Sequence, residues 1–113
     1  MNLIRILDID KAHSIIKPLI TATPLITNEE INAHVNANVY FKPENLQLTG
    51  SFKIRGATYK ISLLSEQQKQ KGVVTYSSGN HAQAVALASF NQGIQATIVM
   101  PENAPKVKIE NTK

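Results

Sequence analysis

Apolar residues recur at Ile54, Ala57, Ile61 and Leu64, a stepping of three, four and three positions that turns one face of an α-helix toward a core. Ser51 stands before this stripe as a candidate N-cap. Farther on, Ala82, Ala84, Val85, Ala86, Leu87 and Ala88 make the stretch from about Asn80 to Gln92 apolar nearly all round, which predicts a helix covered on several sides and stopped by Gly93. It lies between two short apolar runs, Val73–Tyr76 and Ile94–Met100. Strand, helix, strand predicts a βαβ unit with buried parallel strands, and such sheets need cover on both faces. Ser65 and Gln68 have capping-box spacing for a helix that Gly72 ends.

The first part of the chain is more broken. Asp8 is a candidate N-cap for a helix carrying Ile9, Ala12 and Ile16, ended by Pro18. Thr23-Pro24-Leu25-Ile26 is extended, since a residue before proline is pushed out of the α region. Thr27 and Glu30 repeat the capping-box spacing and predict a short helix to His34. Val39-Tyr40-Phe41 is a β-rich run stopped by Pro43, and Pro105 suits the first position of a last helix. Tyr40, Phe41 and Phe90 are expected in the core.

Composition narrows the function classes. The 113 residues are 42% hydrophobic and 18% charged, ordinary values for a soluble globular chain. With no cysteine there is no disulfide framework, thiolate nucleophile or thiolate metal site. The net charge of +4 comes from scattered residues with little aromatic interleaving, so no nucleic-acid partner is expected, whereas a small phosphate-bearing molecule suits the charge. No apolar run approaches a membrane span or a signal segment, and the expectation is a cytoplasmic protein without a membrane partner. His13 and His34 lack metal-ligand spacing, and no metal site is expected. Asp8 and Asp10 read as helix-start residues, and Arg55 as a partner in a structural salt bridge.

Two places carry candidate chemistry. Lys53 lies between a glycine turn and the start of the apolar-periodic helix. The positive end of a helix disfavours an ammonium, and a neutral amine is the nucleophile that attacks a carbonyl. Ser77-Ser78-Gly79-Asn80-His81 follows an apolar run and opens the next helix. Backbone N–H groups at such a terminus hold a carboxylate or phosphate, and the pattern alone leaves open which.

These motifs resemble the N-terminal part of the threonine dehydratase and serine racemase family, fold-type II enzymes dependent on pyridoxal 5'-phosphate. The matching blocks are Thr23-Pro24-Leu25, Lys42-Pro43-Glu44-Asn45-Leu46-Gln47, Thr49-Gly50-Ser51-Phe52-Lys53-Ile54-Arg55-Gly56-Ala57, Ser77 to Gln83, and Met100-Pro101 followed by Ala104-Pro105 and Lys108. The resemblance implies a three-layer α/β fold with a parallel sheet, of the tryptophan synthase beta-like type, here truncated. Residues 1–68 would belong to the large cofactor domain and residues 69–113 would begin the small βαβ domain. The glycine-run loop for the cofactor phosphate and the residue opposite the pyridine nitrogen would both lie downstream.

By the same resemblance Lys53 is the lysine that holds the cofactor and moves the α-proton, with Phe52 beside the ring and Asn80 bonded to the ring's phenolic oxygen. Ser77, Ser78, Gly79, Asn80 and His81 would bind the substrate carboxylate, and Ser78 would stand opposite Lys53, where racemases keep a second acid–base group. The implied activity is deamination of L-threonine or L-serine to a 2-oxo acid and ammonia. Racemisation of serine is the alternative, and a non-catalytic piece pairing with a full-length partner is another. Full-length relatives are expected to be homo-oligomers. Ile54 stands where the sulfhydrylase branch of this fold carries an acidic residue.

Overall fold

A computed structural model describes residues 3–113. The fold is α/β, with α1 (Ile6–Ile16), α2 (Glu29–Val35), α3 (Lys53–Ser62), α4 (Glu66–Lys71), β1 (Val73–Tyr76), α5 (Asn80–Phe90), β2 (Ala96–Val99) and α6 (Lys106–Glu110). The two strands pair in parallel, Val73 opposite Ala96 and Tyr76 opposite Val99, with α5 as the crossover between them. The expected βαβ unit is therefore present.

The core forms where α3 and α5 cross. Ile54, Ala57 and Ile61 from α3 meet Ala84, Val85 and Ala88 from α5, with Ile94 beside them, and Val73 and Ile98 of the sheet pack against this cluster. The alanines allow close approach of the two helices, and the stripe on α3 buries as its period predicts. Segments on either side of residues 68 and 69 thus contribute to one core in this chain.

Local signals explain most of the remaining structure. Ser65 Oγ accepts from the Gln68 N–H at 3.3 Å and Gln68 Oε1 accepts from the Ser65 N–H at 2.9 Å, completing the capping box of α4. Gly72 ends that helix at φ +75°, ψ −176°, a region essentially closed to residues with a Cβ.

Several expectations are corrected. Arg5, not Asp8, takes the N-cap of α1; Asp8 sits three residues inside and accepts the Arg5 N–H at 2.9 Å, since a carboxylate satisfies the helix start from either position. Asn28 caps α2 through the Ile31 N–H, while Thr27 donates its hydroxyl to the Val39 carbonyl instead. Ser51 does not cap α3. Its hydroxyl is buried without a partner. Pro105 precedes α6 rather than opening it.

Val39–Phe41 supplies a single antiparallel bridge, Ile26 to Phe41, rather than a strand. β1 alternates instead of being buried throughout, with Val74 and Tyr76 74% and 77% exposed, because the helices cover one face of the sheet only. Phe90, at 81% exposure, faces outward, as do Tyr40 and Phe41. Hydrophobicity marks these residues for burial, but among the described residues the two strands and their helices do not cover them.

Candidate functional site

Lys53 opens α3 and His81 lies in the first turn of α5, so the crossing that builds the core also brings these two residues to one cleft. The cleft holds about 480 Å³ and is lined by Phe52, Lys53, Gly56, Lys60 and His81 around its polar part, with Ala57, Ile61, Leu64, Val73 and Val85 as an apolar wall. Among the described residues no carboxylate lines it, and Lys53 and Lys60 bring positive charge. An open space beside Gly56, where a Cβ would meet no atom within 4 Å, adds room along α3.

The Lys53 amine stands 5.2 Å from the centre of the Phe52 ring, within the range of a cation–π contact. Among the described residues no carboxylate pairs with it. The approach to Lys53 is strained: Thr49, a β-branched residue, lies at φ +60° and Gly50 at φ +65°. Thr49 Oγ1 and Ser51 Oγ are both buried without a hydrogen-bond partner. Buried orphan hydroxyls are uncommon.

The loop after β1 is held in place from both sides. The Ser77 N–H donates to the Val99 carbonyl, continuing the sheet ladder, and Ser77 Oγ accepts the Gly79 N–H at 3.3 Å. His81 Nε2 is 3.1 Å from the hydroxyl of Thr75 on β1, which fixes the ring at the cleft edge. Asn80, His81 and Ala82 occupy the first turn of α5, where backbone N–H groups have no intrahelical acceptor. That terminus is suited to a carboxylate or phosphate. Ser78 and Asn80 are exposed, and Ser77 and Gly79 half-buried, just outside the cleft lining that contains Lys53 and His81.

A second cluster moors α3 to the preceding chain. Arg55 donates to Glu44 through Nε at 2.7 Å and through Nη2 at 2.8 Å, and Thr23 Oγ1 donates to the same carboxylate at 2.6 Å. The Arg55 guanidinium, and then the Thr23 hydroxyl, hold the Glu44 carboxyl down to about 2 against the cost of burial. Lys42 Nζ donates to the Thr23 carbonyl at 2.7 Å, and Gln47 exchanges two hydrogen bonds with the backbone of Thr21. Arg55 is thus the structural ion-pair partner expected from the sequence. Its acceptor Glu44, and Thr75 behind His81, carried no functional assignment; only the fold brings each to its partner, across 11 and 6 residues.

An amine beside an aromatic ring, a cationic rim and an apolar wall fit a phosphate-bearing aromatic cofactor. Among the described residues no group of acidic or histidine side chains could hold a metal ion, and no helix is long and apolar enough to cross a membrane.

Comparison with known proteins agrees with the geometry. Residues 16–113 match the family model described as pyridoxal-phosphate dependent enzyme. The catabolic L-threonine dehydratase of Staphylococcus aureus is 51% identical over 107 residues, covering 94% of this chain and 31% of that protein. The serine racemase of Dictyostelium discoideum superposes with a TM-score of 0.90 at 47% identity, covering 96% of this chain and 36% of that one. Maize serine racemase does so with a TM-score of 0.86 at 49% identity, over 92% of this chain and 32% of the other. The chain therefore spans about a third of the length of these relatives, whose fold is type II of the pyridoxal-phosphate enzymes. With this much of its length matched and the lysine cleft in place, the chain belongs to the family of pyridoxal-phosphate dependent enzymes.

Proposed function

We propose that the chain supplies the lysine-bearing and carboxylate-binding part of an enzyme that deaminates L-threonine or L-serine to a 2-oxo acid and ammonia. The observation that carries this reading is the shared cleft of Lys53 and His81 beneath the α5 terminus. Residues 1–68 would form part of the large domain and residues 69–113 the start of the small one, with α3 and α5 packed across the join.

Each residue has a part in this reading. Lys53 Nζ would hold the cofactor and would take the proton from the substrate α-carbon. Phe52 would stand beside the cofactor ring. The free N–H groups at the start of α5, with Ser77, Ser78, Gly79 and His81, fix the substrate carboxylate and so aim the α-proton at Lys53. Asn80 would donate to the ring's phenolic oxygen. When bound, pyridoxal phosphate supplies the electron sink that makes the α-proton acidic. The β-hydroxyl would take up a proton and leave as water, and hydrolysis of the resulting enamine would release the 2-oxo acid and ammonia.

Serine racemisation is a second reading, favoured by the serine racemases among the superposing structures; Ser78 would return a proton to the opposite face. A third reading is non-catalytic, with the exposed edge of the two-stranded sheet pairing with a full-length partner. The test is to mix the chain with a polypeptide spanning the remaining two-thirds of a threonine dehydratase and assay 2-oxobutanoate from L-threonine. Appearance of product, abolished by Lys53→Ala, supports deamination. D-serine forming faster than pyruvate from L-serine would move the assignment to racemisation. A complex without either product would leave the pairing role alone.

A further inference from the structure

Lys108, in α6, reaches back to the start of α5. Its Nζ donates to Asn80 Oδ1 at 2.7 Å and to Gln83 Oε1 at 3.1 Å. An ammonium offers three donors and no acceptor, so both amides must present their oxygens to Lys108 and turn their NH2 groups away. An unconstrained asparagine amide can flip to offer either end. Here the choice is removed. Gln83 is only 3% exposed and anchors the ammonium from the buried side, while Asn80 is the exposed end of the bridge. Thr112 Oγ1 donates to the Lys108 carbonyl at 2.7 Å and secures the last turn from which the side chain extends.

We propose that Lys108 is a positioning residue that locks the Asn80 amide as a hydrogen-bond donor, so that the loop selects an electron-rich oxygen on its ligand and rejects a donor at that point. This rests on the reading above, in which that oxygen belongs to the ring of pyridoxal phosphate. The role is distinct from packing, because Lys108 acts through the orientation of a second side chain and does not need to touch the ligand.

The experiment compares the 113-residue chain with Lys108→Met, which keeps the apolar stem, and Lys108→Arg, which keeps a donor. Side-chain amide resonances of Asn80 and Gln83 are followed by 15N–1H NMR without ligand and then during titration with pyridoxal phosphate. In Lys108→Met both amide pairs should shift while backbone resonances of β1 and α3 hold, and cofactor affinity should fall about tenfold, the loss of one charge-assisted hydrogen bond. Lys108→Arg should restore affinity to within about threefold of the parent, since the donor is what matters. An Asn80 pair that does not move in Lys108→Met overturns the lock, even if the cofactor binds tightly. Equal loss in the Met and Arg variants also overturns it, reducing Lys108 to a tether for α6. A parent chain that takes up no cofactor while the Asn80 pair responds supports the lock and refutes the cofactor reading instead.

Discussion

Replacing Glu44 by Gln tests whether the ion pair behind Lys53 organises the start of α3. In the parent, one carboxylate accepts three hydrogen bonds, two from Arg55 and one from Thr23. These bonds hold its pKa at about 2 instead of the ordinary 4.5, with Arg55 the leading cause. A displacement of that size corresponds to about 3 kcal/mol, since each tenfold change in proton affinity is worth about 1.4 kcal/mol. The side chains of Arg55 and Glu44 are 25% and 16% exposed, so partial screening by water trims the expectation to about 2 kcal/mol.

The sign follows from the direction of the shift. The folded pKa lies below the unfolded one, so the stabilisation is complete above about pH 4.5 and is lost as pH falls toward about 2. Glu44→Gln keeps the shape but removes the charge and leaves the guanidinium partly buried and unpaired. Urea unfolding followed by circular dichroism should show the variant about 2 kcal/mol less stable at pH 7, with the gap closing as pH approaches 2. A gap that stays constant from pH 7 to pH 2, or one below about 0.5 kcal/mol at pH 7, would refute the reasoning.

Two further substitutions probe the fold that carries the site. Gly72→Ala would place a Cβ 2.7 Å from the Gln95 carbonyl oxygen, in a backbone conformation closed to alanine, and should cost about 2–4 kcal/mol in urea unfolding; a cost below about 1 kcal/mol would show that the turn is not held as described. Ile54 is 1% exposed at the α3–α5 crossing, and Ile54→Ala should lower stability by about 2–5 kcal/mol; a loss under about 1 kcal/mol would mean that the two helices do not share a packed core.

The elements legible in the sequence were those set by local periodicity and capping. The 3.6-residue stripe of Ile54, Ala57 and Ile61 carries its own address, because the same face that repeats in sequence is the face that buries. The Ser65–Gln68 box and Gly72 act through bonds within one turn, and they behave as written. The parallel pairing of β1 and β2 follows from a helix lying between two strands. Exposure was harder to read. Phe90, Tyr76 and Val74 have the composition of core residues, yet which face of a sheet is covered depends on chain far away in sequence, and these residues face outward here.

The site divides along the same line. Lys53 and the Ser77–His81 loop stand out because a lysine at a helix start and a small polar turn after a strand are local patterns. The residues that hold them in place do not. Glu44 finds Arg55 and Thr23 only through the return of the chain, and Lys108 finds Asn80 only through the crossover that sets α6 beside α5. Ser51 shows the opposite failure. It has the composition of a cap, but its hydroxyl is sealed without a partner in the strained turn leading to Lys53.

The central claim is that Lys53 is the reactive amine of a cofactor cleft. Its most direct test is the visible absorbance spectrum of the chain after addition of pyridoxal phosphate, before and after borohydride reduction, with peptide mapping and Lys53→Ala as control. The account predicts a visible imine band in the parent, a reduced cofactor mapped to Lys53, and loss of both in the variant, although Lys60 lines the same cleft. Label spread over Lys60 and other lysines, with the same band in Lys53→Ala, would contradict it.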